Sequence, residues 1–253
     1  MFGRATELDP EFTDALTQLA ASLAMNAIYH GEVSSGERAA RAAHELLKLA
    51  PEESNTHSAV GMSLLAAKKY PEAIVQFEKA IAIDPNSFEA HNYYARAAFH
   101  HGDLRKALEM LEKAAQCEPE DWESVLLSMQ LYKKFGDKKG LMKACDEGVK
   151  RAERFLKIHP NNQRAYYLAA FAFATLGEEE KGDQWIDKAL QIAPDDPATR
   201  YNAGCYFAKT GDFDKAFDYL RGSMTSRSWV ENDTDLDPLR EDPRFPAYLE
   251  TLK

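Results

Sequence analysis

The clearest hydrophobic pattern in this chain lies in the second half of residues 54–87. There Ala73, Ile74, Phe77, Ala80 and Ile81 recur at the i, i+1, i+4, i+7, i+8 spacing that gathers apolar side chains on one helical face. Pro85 stops the run, so the stretch reads as two short helices and a turn. The same pattern returns at 88–121 and 163–196, each 34 residues long like the first, and in a last unit from 197 to 224. Two further units, 13–53 and 122–162, are about seven residues longer; seven residues nearly complete two helical turns, so the apolar face drifts by only about 20° and stacking can continue in phase.

The turns carry their own signals. Gly102-Asp103, Gly136-Asp137 and Gly211-Asp212 place a left-handed C′ glycine ahead of an N-capping aspartate, which ends one helix and starts the next in two residues. In 13–53 the extra length lies around His30-Gly31-Glu32-Val33 and predicts a longer first helix plus a loop, with Ser34 and Glu37 as a capping box for the following helix. In 122–162 no loop signal appears, and one long helix from Lys138 to Ile158 is predicted. Gly148 in its middle costs roughly 1 kcal/mol relative to alanine and points to close packing there or to a kink.

Recurrence at this period resembles the tetratricopeptide repeat, whose pattern is W-x2-L-G-x2-Y, A-x3-F, P. The residues that carry the resemblance are Val60-Gly61, Ala73, Phe77, Ala80 and Pro85; then Ala95, Ala107, Leu111, Ala114 and Pro119; then Ala170, Ile186, Ala189 and Pro194; and finally Gly204, Ala216 and Leu220. It implies an all-α fold, a right-handed superhelical solenoid of antiparallel helix pairs. Small residues at Gly61, Ala73 and Ala80 would let helices approach while Phe77 fills the space between pairs.

The resemblance also implies a concave groove lined by the first helix of each pair. Carried over, its residues are Asn92, Arg96, Phe99, Gln130, Arg164, Tyr167, Phe171, Tyr201 and Cys205, a mixed aromatic and polar lining. Tyr167, Phe171 and Tyr201 can equally serve as packing between neighbouring helices. Some family members grip a C-terminal carboxylate through lysine, asparagine and arginine at set positions. Here the fifth positions are Ser58, Asn92, Leu126, Tyr167 and Tyr201, with no lysine, which disfavours recognition of a chaperone tail.

The ends depart from the repeat. Residues 1–12 place Phe2 and Ala5 at the aromatic and small positions of a second helix without a first, which predicts the remnant of a truncated repeat or a lone capping helix. Residues 225–253 lose the period; their prolines and acidic run predict irregular chain until about Phe245, where Tyr248, Leu249 and Leu252 share an apolar face. A solenoid must cover its last face, and this segment is the expected cap. The phrase DLDPLREDPRF also resembles endings of bacterial repeat arrays in multidomain signalling proteins such as adenylate cyclases, protein kinases and winged-helix regulators.

A net charge of −10 disfavours nucleic acid and anionic membrane surfaces, which require basic patches. No signal core or membrane-length apolar run is present, so a cytoplasmic location is expected. Cys117, Cys145 and Cys205 are odd in number and widely spaced, and read as reduced thiols. Asp233, Asp235 and Asp237 alternate as in a calcium loop, but Pro238 and Arg244 occupy the positions that need glycine and a bidentate glutamate. His100 and His101 point about 100° apart on a helix, without a third ligand in register. No nucleophile elbow, zinc-helix or phosphate-loop motif occurs, and no metal or cofactor is expected. The expected function is a non-catalytic scaffold binding a protein or peptide, part of a larger bacterial signalling protein, with self-association as the alternative.

Overall fold

The structure is a computed structural model that describes residues 2–9, 11–30, 32–221, 223 and 227–252, apart from the side chains of Phe2, Ala5, Glu7, Tyr29, His30, Ser228, Trp229 and Asn232. It is all-α, and no strand occurs among the described residues. The chain forms two compact units, Met1–Pro119 and Glu120–Lys253.

The first unit contains α1 (Phe2–Leu8), α2 (Thr13–His30), α3 (Val33–Leu49), α4 (Ser54–Ala66), α5 (Tyr70–Ile83), α6 (Phe88–His101) and α7 (Leu104–Cys117). Helices pair in order as α2 with α3, α4 with α5 and α6 with α7, while the first helices α2, α4 and α6 also touch in succession. The second unit repeats this with α8 (Glu123–Phe135) and α9 (Lys138–Ile158), α10 (Gln163–Leu176) and α11 (Glu179–Ile192), and α12 (Pro197–Thr210) and α13 (Phe213–Leu220). It closes with α14 (Arg227–Asn232), a 3-10 helix at Thr234–Leu239 and α15 (Arg244–Glu250).

The turn signals act as the residues dictate. Gly102, Gly136 and Gly211 have φ of 94°, 70° and 90°, which glycine adopts without steric cost. Each is followed by an aspartate whose carboxylate accepts a helix N–H: Asp103 from Lys106, Asp137 from Gly140 and Asp212 from Lys215. A second tie recurs after the prolines. His57 Nε2 donates to the Pro51 carbonyl at 2.9 Å, His91 Nε2 to Pro85 at 3.0 Å and Arg200 Nη1 to Pro194 at 3.4 Å, so three first helices are stapled to the turn before them.

Close approach explains the small residues. Ala73, Ala80 and Phe77 are fully buried, and a Cβ added at Gly61 would stand 2.6 Å from the Phe77 ring. The long α9 runs unbroken through Gly148, where an added Cβ would stand 2.4 Å from Leu126. Close packing is therefore the reason for this glycine.

Two local expectations are corrected. The capping box does not form, because α3 starts at Val33 and so places Ser34 inside the first turn; Glu32 holds the N-cap position and instead collects the Ser34 and Ser35 hydroxyls and the Asn26 amide. The segment expected to be irregular holds α14 and the 3-10 helix ahead of α15, since the 3-10 geometry accommodates Pro238 and Asp233 caps its start by accepting from the Asp235 N–H. The Phe2 and Ala5 side chains lie outside the described residues.

Val230, Leu236, Leu239, Phe245 and Tyr248 are buried in one core with Tyr206, Phe217 and Leu220 of the last helix pair. Arg244 fastens this covering by donating to Asp214 at 2.5 Å while its guanidinium lies 4.6 Å from the Phe217 ring centre.

Replacing a mid-helix glycine by alanine ordinarily gains about 1 kcal/mol. Gly61→Ala is expected to reverse that sign and destabilise by about 1 to 3 kcal/mol through overpacking, as is Ala107→Leu. Gly36→Ala meets only Ala27 Cβ at an ordinary 3.5 Å and should stabilise. Urea midpoints decide; equal shifts for Gly61 and Gly36 would contradict the packing account.

Candidate functional site on the first helices

In the first unit the predicted groove residues cluster on α6. Asn92 is 3% exposed and its Oδ1 accepts from Arg96 Nε at 3.2 Å. The Arg96 guanidinium lies 5.5 Å from the Tyr93 ring centre, while Phe99 is 40% exposed and meets His100 edge-on at 5.9 Å. His100 stacks on Tyr70, and burial, helped by Arg96 and Lys68, lowers its pKa.

In the second unit the predicted residues divide by burial. Tyr167, Tyr201 and Cys205 are buried, with Tyr167 linked to Arg164 Nη1 at 2.9 Å and Arg164 paired through Nε with Glu123 at 2.7 Å. Phe171 is half-buried against Tyr206, and Gln130 is exposed. Burial raises the Cys205 and Tyr201 pKa values, which Asp233 reinforces; burial likewise pushes the Cys145 thiol up to about 11. These thiols are held protonated, a poor state for nucleophilic chemistry.

The chain itself approaches this face. Tyr201 OH donates to Asp233 at 2.7 Å, and Gln130 Nε2 donates to Asp235 at 3.4 Å. Lys133 lies 3.7 Å from the same Asp235 carboxylate. Thus two predicted groove residues, on α8 and α12, are engaged by the start of the C-terminal covering segment. Beside Asp235 a cavity of about 230 Å³ opens between α8, α10 and α12, with Leu126, Met129, Leu141, Leu168 and Phe171 as its apolar walls. Gln130, Lys133, Thr175, Asn202, Lys209 and Asp235 supply the polar groups.

Lys209 Nζ donates to Thr175 Oγ1 at 2.8 Å and lies 5.7 Å from the Phe171 ring centre. Burial lowers its pKa, opposed by Asp235. Burial raises the Asp235 pKa, Asp233 adding to it, while Lys133, Lys209 and Gln130 act against it. Sequence reasoning missed Lys133, Lys209 and Asp235 as members of this site. Lys209 did leave a signal, a lysine directly after Tyr206-Phe207-Ala208, but a contact between residues about a hundred positions apart leaves none.

Among the described residues no group of acidic, histidine and cysteine side chains is arranged to hold a metal ion, and no helix is long and apolar enough to cross a membrane. Stacked helix pairs, with polar and aromatic side chains on their first helices, define a helical-repeat scaffold as the class of protein. Models of the tetratricopeptide repeat match residues 25–88, 64–132 and 163–196, together more than half of the chain. The chain belongs to the tetratricopeptide-repeat family.

The TPR repeat-containing protein YpiA of Bacillus subtilis (strain 168) is 24% identical over 197 residues, 77% of this chain and 41% of that protein. The TPR repeat-containing protein MJ1428 of Methanocaldococcus jannaschii is 28% identical over 131 residues, 52% of this chain and 22% of that protein. The chain thus spans less than half the length of these curated relatives. Among solved structures, Pseudomonas aeruginosa PilF matches with a TM-score of 0.54 at 16% identity, covering 88% of this chain and 96% of that one. The human IFIT1 dimer with m7Gppp-AAAA matches with a TM-score of 0.66 at 17% identity, covering 86% and 51%. Both likenesses are of fold.

Because the fold raises the pKa of Asp235, its contribution to stability is present below the unfolded carboxylate value, about 3.9, and is lost as pH rises through the folded value. Asp235→Asn is therefore expected to be more stable than the parent at pH 7, with the difference closing toward about pH 3. Thermal unfolding across that range checks this; a less stable variant at pH 7 would show that the lysines outweigh burial.

Proposed function

We propose that the chain is a non-catalytic scaffold that binds a protein or peptide on the faces of its first helices. The observation that carries this reading is the engagement of Gln130 and Tyr201, both predicted groove residues, by carboxylates of the chain's own Asp233–Asp235 stretch. A face that accommodates one polypeptide segment has the donors and apolar floor to accommodate another. Arg164 and Phe171 on α10 extend the same chemistry within the second unit, and Arg96 and Phe99 on α6 offer it in the first. Asn92, Tyr167, Tyr201 and Cys205 are buried and act by shaping and orienting that surface.

The resemblance of the tail to bacterial repeat arrays supports a finer reading, an interaction region of a larger bacterial signalling protein working in the cytoplasm. Net charge of −10 supports protein over nucleic-acid partners.

Selection of random displayed peptides on the immobilised chain, followed by affinity measurement, tests the scaffold reading. Arg96→Ala, Phe99→Ala, Gln130→Ala and Phe171→Ala form the groove set, with Glu112→Ala and Lys188→Ala on second helices as controls. At least one groove substitution is expected to weaken a selected peptide by about thirtyfold, the loss of a 2 kcal/mol hot spot, with helicity unchanged. Peptides sensitive only to the second-helix changes would overturn it. Sedimentation of the same samples over a concentration series separates peptide capture from self-association.

A further inference from the structure

The cavity between α8, α10 and α12 permits a statement about partner chemistry, resting on the scaffold reading. Its volume of about 230 Å³ lies below the roughly 300 Å³ at which sites for whole small molecules begin, and suits one or two side chains. Its walls are aliphatic and aromatic, which selects an apolar side chain. Its charged groups are two ammoniums, Lys133 and Lys209, and one carboxylate, Asp235. Positive charge therefore prevails in the lining of a strongly acidic protein. Asp233 stands next to this group, but its carboxylate is occupied by the Tyr201 hydroxyl and the Asp235 N–H.

The Asp235 arrangement indicates what the lysines recognise. It is an aspartate side chain within a peptide segment, and it sits 3.7 Å from Lys133, too far for a tight ion pair. Lys133 is 55% exposed on a flexible stem and can turn to a better-placed carboxylate. Lys209, also in the cavity lining, is fixed by Thr175 and the Phe171 ring. The fold also disfavours charge on Asp235, so its hold on Lys133 is one that a better-placed carboxylate can displace.

We propose that this cavity is a subsite for a partner segment carrying an aliphatic or aromatic residue beside an Asp or Glu side chain. The apolar residue fills the space between Leu126, Leu168 and Phe171, and the carboxylate takes Lys133 from Asp235 while facing Lys209. Asp235 then acts as a built-in competitor that weakens acidic partners until their own carboxylate is correctly placed. This assigns it a tuning role that a purely structural aspartate lacks.

A fluorescein-labelled peptide with a central Asp-Phe-Asp motif, its Asn-Phe-Asn counterpart and an Asp-Gly-Asp counterpart provide the test by fluorescence anisotropy on the full chain. The Asp-Phe-Asp peptide is expected to bind about tenfold or more tighter than either counterpart, and to weaken with added salt. Lys133→Ala and Lys209→Met should each lower its affinity about tenfold. Asp235→Asn should raise it about threefold or more by removing the competing carboxylate. Equal affinity for the aspartate and asparagine peptides, or weaker binding by Asp235→Asn, would overturn the proposal. If displayed peptides selected on the chain respond to the groove substitutions but not to Lys133, Lys209 or Asp235, this subsite is wrong while the scaffold reading stands. If no peptide of any chemistry responds to the groove set, both fall.

Discussion

In two of the helix pairs, α4 with α5 and α12 with α13, packing depends on one contact, the close approach of the first helix to its partner at a glycine. At Gly61 an added Cβ would fall 2.6 Å from Phe77, and at Gly204 it would fall 2.6 Å from Leu220. These two contacts occupy corresponding places in their pairs, so the same solution is used near both ends of the chain. A bulky residue packed directly over backbone removes the gap that two ordinary side chains would leave, and interior packing tolerates little residual void. The cost is the entropy and low propensity of a mid-helix glycine, about 1 kcal/mol, which the buried ring or leucine offsets with roughly 1.5 to 3 kcal/mol of apolar burial.

Within each unit the first helices lie side by side, α2, α4 and α6 in one and α8, α10 and α12 in the other, and the proposed binding surface is made of their remaining faces. The distribution of residues follows. Alanines such as Ala73, Ala80 and Ala107 lie at helix contacts, while long polar and aromatic side chains such as Arg96, Phe99 and Gln130 stand away from them. The His57 and His91 staples add direction, because each fixes the start of a first helix to the turn before it. A binding surface assembled on these helices is thereby preorganised without a loop having to be ordered.

Much of this was legible because repetition multiplies weak signals. A single A-x3-F match is common, but Ala73 and Phe77, Ala107 and Leu111, and Ala216 and Leu220 at regular spacing leave little freedom in the fold. The Gly-Asp turns were readable for the same local reason, each residue having one conformational or hydrogen-bonding task. Local rules misplaced the Ser34 and Glu37 cap, where a helix start two residues earlier let Glu32 take over the serine hydroxyls. Position in the repeat named Gln130 and Tyr201, yet it could not reveal their shared neighbour, since Asp233 and Asp235 come from beyond the period.

The acidic stretch shows how one segment can serve both stability and recognition. Leu236 and Leu239 are fully buried and hold the 3-10 helix in the terminal core, so the backbone around Asp235 has no freedom to leave. Its carboxylate is therefore carried into a half-apolar setting as a consequence of the packing of its neighbours. An alanine there would avoid the desolvation, and an arginine or lysine would repel Lys133 and Lys209. Aspartate neutralises part of the field of the two ammoniums while meeting neither at close range, which leaves the exposed Lys133 loosely enough paired to exchange partners. The covering segment thus completes the last helix pair with its leucines and sets the electrostatics of the adjoining first-helix face with its acids.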